Sequence, residues 1–259
     1  MRMLSGSARP VTLVPSRVLG GTAGIVHGFS GRAVGEEFNL VASGDESRAL
    51  VEARREHLLG ALGRPDATWV SLRQVHGDVI VEVTRRAGRM IEGDGLWTRD
   101  RDVALAVLVA DCVPVLFAAR STPAVAAVHA GWKGTRLQIA RRMVERLAGA
   151  GIPAGDLVVA LGPAIGPCCF DIGSEVADAL TAAHPGATGA VGQRENGHFF
   201  ADLWALNQQA LIDAGVLPSA IDVVRRCTRC DPTFYSYRRD GAACGRQAAV
   251  IAFAGRRVS

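Results

Sequence analysis

With 259 residues, 49% hydrophobic and 21% charged, the chain has ordinary globular composition and apolar side chains enough for a sizeable core, so a folded rather than a disordered chain is expected. The net charge of +4 is mild and the arginines are scattered, which disfavours nucleic acid and suits a small anionic substrate better. Six cysteines are too few for a disulfide scaffold, and MRMLSGSARPVTLVP lacks the apolar run of a secretory signal, so reduced thiols in a cytoplasmic protein are expected.

In chain order, apolar periodicity predicts a helix over about residues 47–62, with Leu50, Ala53, Leu58 and Leu62 on one face. Strands are predicted over 68–72, 79–83, 103–109, 113–118 and 124–129. The apolar run from Val103 to Ala110 is too short to span a bilayer, so no membrane segment is expected. A helix over 135–148 carries Leu137, Ala140, Val144 and Leu147 as its stripe. Further on, 157–161 reads as a buried strand, Ser174 as the N-cap of a helix, and 202–214 as a helix ending at Gly215. Strands over 220–225 and 246–253 close the chain. No linker and no solenoid-spaced repeat divides it. A single domain of α/β or α+β type is expected, with a mixed sheet and outer helices. No glycine pattern matches the dinucleotide or nucleoside-triphosphate cradles.

Three segments place a metal-capable side chain where an apolar strand meets a turn: Gln74-Val75-His76-Gly77, Ala110-Asp111-Cys112-Val113 and Val128-His129-Ala130-Gly131. Side chains at adjacent strand ends converge even when distant in sequence. Two imidazoles and one thiolate suit zinc, and three protein ligands leave a fourth position open. Each residue alone also fits a bland role, a small buried thiol or a hydrogen-bonded imidazole.

QVHGDVI, LVADCVPVLFA, AVHAGWKGT, LGPAIGPCCFDIG, CTRC, FYSYRRDG and GRQAAVIA resemble, in that order, the motifs of the YfiH-like laccase-domain family, also called polyphenol oxidase or purine nucleoside phosphorylase. The resemblance runs from Gly24 to Phe253. It implies an αββα-like sandwich related to the catalytic domain of cytotoxic necrotizing factor. It also implies a catalytic zinc on His76, Cys112 and His129; from the charge and the short apolar runs, no nucleic-acid or membrane partner is expected. The implied activity is phosphorolysis of adenosine, inosine, guanosine and methylthioadenosine, with adenosine deamination at the same site. Phosphate is then a co-substrate, and a monomer or weak dimer is expected. A multicopper cluster needs roughly ten imidazoles, more than the six histidines present, so copper is expected only as a substitute in the zinc site.

Asp111, beside Cys112, is a candidate proton carrier and equally a turn cap. Lys133, Arg238 and Arg246 are candidate phosphate cations, with the Gly134-Thr135 N–H groups as an anion cradle. Trp132, Phe234 and Tyr235 are candidates to stack on a purine, or core residues. Cys227 and Cys230 form a CxxC whose partner could be Cys168-Cys169; adjacent cysteines fit that poorly, and packed or site-lining reduced thiols are expected. Two departures from the family pattern bear on substrate preference: the short Gly31–Gly35 segment before Asn39, and Ala53 ahead of Arg54 where an Asn is usual. The competing enzyme readings are a Cys–His amide hydrolase acting on cell-wall precursors, with Cys112 as nucleophile and His129 as base, and a single-copper polyphenol oxidase. A module merely stapled by zinc would need a fourth protein ligand, such as Cys169 or Cys227.

Overall fold

The computed structural model describes residues 11–32, 38–41, 47–85 and 91–255; the extreme N-terminus and residues 33–35, both read above, lie outside these. Apolar strands buried on both faces, such as Val113–Ala119 and Val125–Ala130, can only sit inside a layered sandwich. They belong to a six-stranded sheet ordered Ile221–Val223, Leu157–Leu161, Val113–Ala119, Val125–Ala130, Gly95–Thr98, Ile80–Glu82. A five-stranded sheet, ordered Leu13–Val14, Ile25–Ser30, Gln247–Phe253, Val103–Val109, Thr68–Val70, packs face to face against it. A small antiparallel sheet of Asp171–Ile172, Phe199–Ala201 and Val191–Gln193 lies apart.

Helices cover the two outer faces. Arg48–Ala61 presents Leu58 and Leu59 to Ala104, Ala106, Ala248 and Val250 of the five-stranded sheet. Ile139–Gly149 turns Ile139, Ala140, Met143, Val144 and Leu147 inward beside the strand Val125–Ala130, and Leu203–Asp213 packs against it. The result is an αββα sandwich of mixed sheets, the α+β class expected. No helix among the described residues is long and apolar enough to cross a membrane.

Several expected elements differ in detail. The helix read over 135–148 is two helices, Trp132–Arg136 and Ile139–Gly149, broken at Gln138, which is left-handed at φ 57°. The break lets the first piece follow the site while the second lays its stripe on the sheet. Ser174 is the first helical residue and not the cap; Gly173 holds the cap position without a side-chain bond. The strands Ile25–Ser30 and Gly95–Thr98 were not anticipated. Both contain glycines pressed against neighbours: a Cβ on Gly95 would stand 2.8 Å from Ile80 Cγ1.

Candidate metal centre

Sheet register assembles the site at one end of the sandwich. The chain leaves the five-stranded sheet at Val109, turns through Ala110–Cys112, and enters the six-stranded sheet at Val113. Asp111 takes a left-handed φ of 87° in that turn, an unusual conformation for a residue with a Cβ. Val113 pairs with Ala130 and Pro114 with His129, so antiparallel pairing alone brings Cys112 beside His129. Gly95 pairs with Val128, which brings Asp94 to the same end, and the His129 N–H donates to the Asp94 carbonyl at 2.7 Å. Ile80 pairs with Gly95 in parallel, carrying the preceding His76 loop to Asp94.

Cys112 Sγ and one nitrogen each of His76 and His129 lie within 4.8 Å of one another. The imidazole rings meet edge to face, centres 4.8 Å apart. His129 is buried, Cys112 half-buried and His76 exposed, so the centre has a closed back and an open front. The donor set fits zinc: three ligands of the right softness converge on one point, with no fourth protein donor among the described residues. Copper accepts the same donors, so the chemistry of the set leaves both ions compatible.

Asp94 is the residue that sequence reasoning missed. It is buried, and its carboxylate accepts from His129 Nδ1 at 2.8 Å and from the backbone N–H groups of Val75, His76 and Gly77 at 3.2, 3.0 and 2.7 Å. One carboxylate thereby orients one ligand's ring and folds the loop of another, including the left-handed φ of 60° at His76. Fixing Nδ1–H turns the other ring nitrogen of His129 toward the centre. Gln74 holds the same loop from behind, with its side-chain amide donating to Leu108 O and accepting from Leu108 N, each at 2.8 Å.

Electrostatics follow the geometry. Burial pushes the Cys112 thiol up, but the neighbouring His129 and His76 outweigh it and bring it down to about 6. Burial pulls the His129 imidazole down, yet the Cys112 sulfur and the Asp94 carboxylate lift it to about 9. Burial likewise raises the Asp94 carboxyl, while the bonds from His129 and the backbone N–H groups hold it below the usual carboxylate range. The thiolate is the form a metal binds.

The centre opens into a cavity of about 900 Å³, within the range of small-ligand sites. Arg238 and Arg246 line it, with Trp132, Phe170 and apolar Leu72 and Ile165. Arg238 lies over the Phe170 ring at 5.3 Å. Asp111 also lines the cavity, but both its oxygens are engaged, one by Thr228 Oγ1 at 2.6 Å and one by the Arg238 N–H at 2.7 Å. Lys133 is exposed, outside the cavity lining, its ammonium 5.7 Å from the Trp132 ring centre. The cradle expected at Gly134-Thr135 is not formed there: the helix begins at Trp132, and the Thr135 N–H donates to Gly131 O. Phe234 and Tyr235 are core residues. Cys169 and Cys227 sit together elsewhere and do not supply the centre with a fourth ligand.

Gly131 gives a clean test of the site's tightness. Its φ of −71° suits any residue, yet an added Cβ would stand 2.9 Å from Cys112 Sγ and 3.3 Å from His76 Cδ2. Gly131→Ala is expected to weaken metal affinity by about tenfold or more without removing a ligand, read by competition with a chelating dye. Wild-type affinity in that variant would show that the donors have room to spare.

The family described as multi-copper polyphenol oxidoreductase laccase matches residues 25–254. The chain is 37% identical over 259 residues to "Purine nucleoside phosphorylase YlmD" of Geobacillus stearothermophilus, covering 91% of each. It is 39% identical over 219 residues to "Purine nucleoside phosphorylase PA4543" of Pseudomonas aeruginosa, covering 83% of this chain and 86% of that one. The crystal structure of YlmD from Geobacillus stearothermophilus superposes with a TM-score of 0.86 at 34% identity, over 96% of this chain and 98% of that chain. Sequence motifs, sandwich and relatives agree along nearly the whole length: the chain belongs to the multi-copper polyphenol oxidoreductase laccase family.

Proposed function

We propose that this chain is a zinc-dependent purine nucleoside phosphorylase that takes adenosine, inosine, guanosine or methylthioadenosine to the free base and the sugar 1-phosphate, and deaminates adenosine at the same site. The observation that carries the reading is one cavity lined by three metal donors, by stacking and apolar surface, and by two arginines. The names of the relatives support it. His76, Cys112 and His129 would hold the zinc, which when bound supplies Lewis-acid stabilisation of developing negative charge. Asp94 holds the ligands in place. Trp132 and Phe170, with Leu72 and Ile165, offer the flat apolar cover a purine needs. Arg238 and Arg246 bind phosphate, and Lys133 adds positive charge outside the lining. Asp111 acts as a positioning residue, tying the ligand turn to Thr228 and to the Arg238 backbone.

Base release from adenosine, followed across a phosphate titration, tests this reading. Arg238→Met removes a side-chain cation and leaves the backbone bond to Asp111, so it is expected to raise the KM for phosphate about tenfold or more at unchanged metal content. An unchanged KM would remove Arg238 from the phosphate site, and base release indifferent to phosphate would remove phosphorolysis itself.

One observation favours a second reading. Cys112, His129 and Asp94 stand in the order nucleophile, base and orienting carboxylate, as an amide hydrolase requires. His76 has no role in such a triad but would complete a metal site. Inactivation by iodoacetamide together with full activity in chelator would favour the hydrolase; loss of activity in chelator favours the metal enzyme.

A further inference from the structure

Away from the nucleoside cavity's metal centre, the chain gathers Cys168, Cys169, Cys227 and Cys230, and their Sγ atoms all lie within 4.8 Å of one another. The pairs are distant in sequence but meet through the sheet. The parallel strands Leu157–Leu161 and Ile221–Val223 end side by side, and their outgoing loops continue the pairing through an Ala164–Cys227 bridge. Cys168 and Cys169 follow in a tight turn closed by the Cys169 and Phe170 N–H groups on Gly166 O. That turn overcomes the difficulty of adjacent cysteines: in a regular strand their side chains would point to opposite faces. Here Cys168 Sγ and Cys169 Sγ approach Cys230 Sγ to 3.8 and 3.3 Å.

We propose that these four cysteines form a second metal site, a tetrathiolate that takes zinc in a structural role. Four thiolates around one zinc, each Zn–S bond about 2.3 Å, put the sulfurs about 3.8 Å apart, which is the scale of this cluster. A CxxC supplies two ligands at the spacing of structural zinc sites, and soft sulfur donors select such an ion. The surroundings suit bound thiolates. Cys227 Sγ accepts the Gly166 N–H at 3.2 Å, and the N–H groups of Arg229 and Cys230 face the same sulfur. Arg229 Nη1 lies 3.5 Å from Cys169 Sγ, and the Arg238 and Arg194 guanidinium groups donate to the carbonyls of Cys169 and Pro167. These cations offset the negative charge that four thiolates leave on a divalent ion. Four protein ligands close the coordination sphere, so the ion organises structure and performs no chemistry.

Its place explains what it organises. One loop it ties carries Ile165 and Phe170 of the cavity wall; the other carries Thr228, whose hydroxyl holds Asp111 beside Cys112. The site is thus a staple between the two loops that form one side of the cavity.

Metal counting on protein purified under reducing conditions tests the proposal without any assay of activity. Native mass spectrometry is expected to show two zinc ions per chain in wild type, and one in Cys230→Ser and in Cys168→Ser. Cys112→Ala should also carry one, and cobalt loaded into that variant should give the intense absorption of a tetrathiolate. Wild-type chains carrying only one zinc, with the four thiols free to alkylation or recovered as disulfides, would overturn the proposal. So would Cys168→Ser chains that keep two ions. Because wild type alone decides the first comparison, a variant that fails to fold does not shelter the idea.

Discussion

If the proposed metal centre is the catalytic one, Cys112→Ala is expected to strip it of its metal and to lower turnover by far more than about a hundredfold. Losing a residue that merely orients a ligand costs 10–100-fold in metal affinity or activity, by general experience, and Cys112 is itself a donor. It is also the only anionic donor of the three, so its loss removes charge compensation as well as a bond. His76 cannot make up the difference, because it sits exposed on a loop and depends on Asp94 for its position. Metal per chain and turnover are read on the same sample. A Cys112→Ala protein that kept its full complement of metal and its activity would remove the thiol from the centre.

Asp94→Asn carries the second large effect, and it acts without touching the metal. The carboxylate receives four donors: three backbone N–H groups and His129 Nδ1. An amide has one oxygen, so whichever way it is placed its NH₂ faces N–H donors, either those of Val75 and Gly77 or those of His76 and His129. Since Asp94 is buried, no water softens the mismatch. Metal affinity is expected to fall 10–100-fold and folding stability by about 3 kcal/mol. Dye competition reads the first and urea unfolding of chelator-treated protein the second. Unchanged affinity would mean that the ring of His129 is held by something other than this carboxylate.

His76 and Cys112 were legible because each stands beside a glycine or an acid at a break in the apolar pattern, and His129 because it falls near the end of an apolar strand, two residues before Gly131. Asp94 was hidden for the converse reason. In Glu92-Gly93-Asp94-Gly95 an acid between glycines reads as a turn, and only the pairing of Gly95 with Val128 reveals it as a buried partner of His129. Register of that kind is tertiary information. The same holds for the cysteines: CC and CxxC were visible, but the turn at Gly166 that lets neighbouring thiols converge was not. At Gln138 the apolar stripe read from the sequence runs straight through a backbone break: Ala140 beyond it is buried, while Leu137 before it is only half-buried. A mixed sheet with outer helices was accessible because the central strands are apolar on both faces, whereas the αββα layering followed only from the family resemblance. The strand Ile25–Ser30 was missed because His27 and Gly28 interrupt that pattern.

Product analysis on adenosine with metal-quantified protein, with and without phosphate, beside Cys112→Ala, tests most directly whether the metal centre acts on purine nucleosides. Adenine is expected to be released only when phosphate is present, inosine to form in either case, and both products to be lost in the variant. Wild-type protein that carries its zinc at His76, Cys112 and His129 yet forms neither product above the variant's background would contradict action on purine nucleosides.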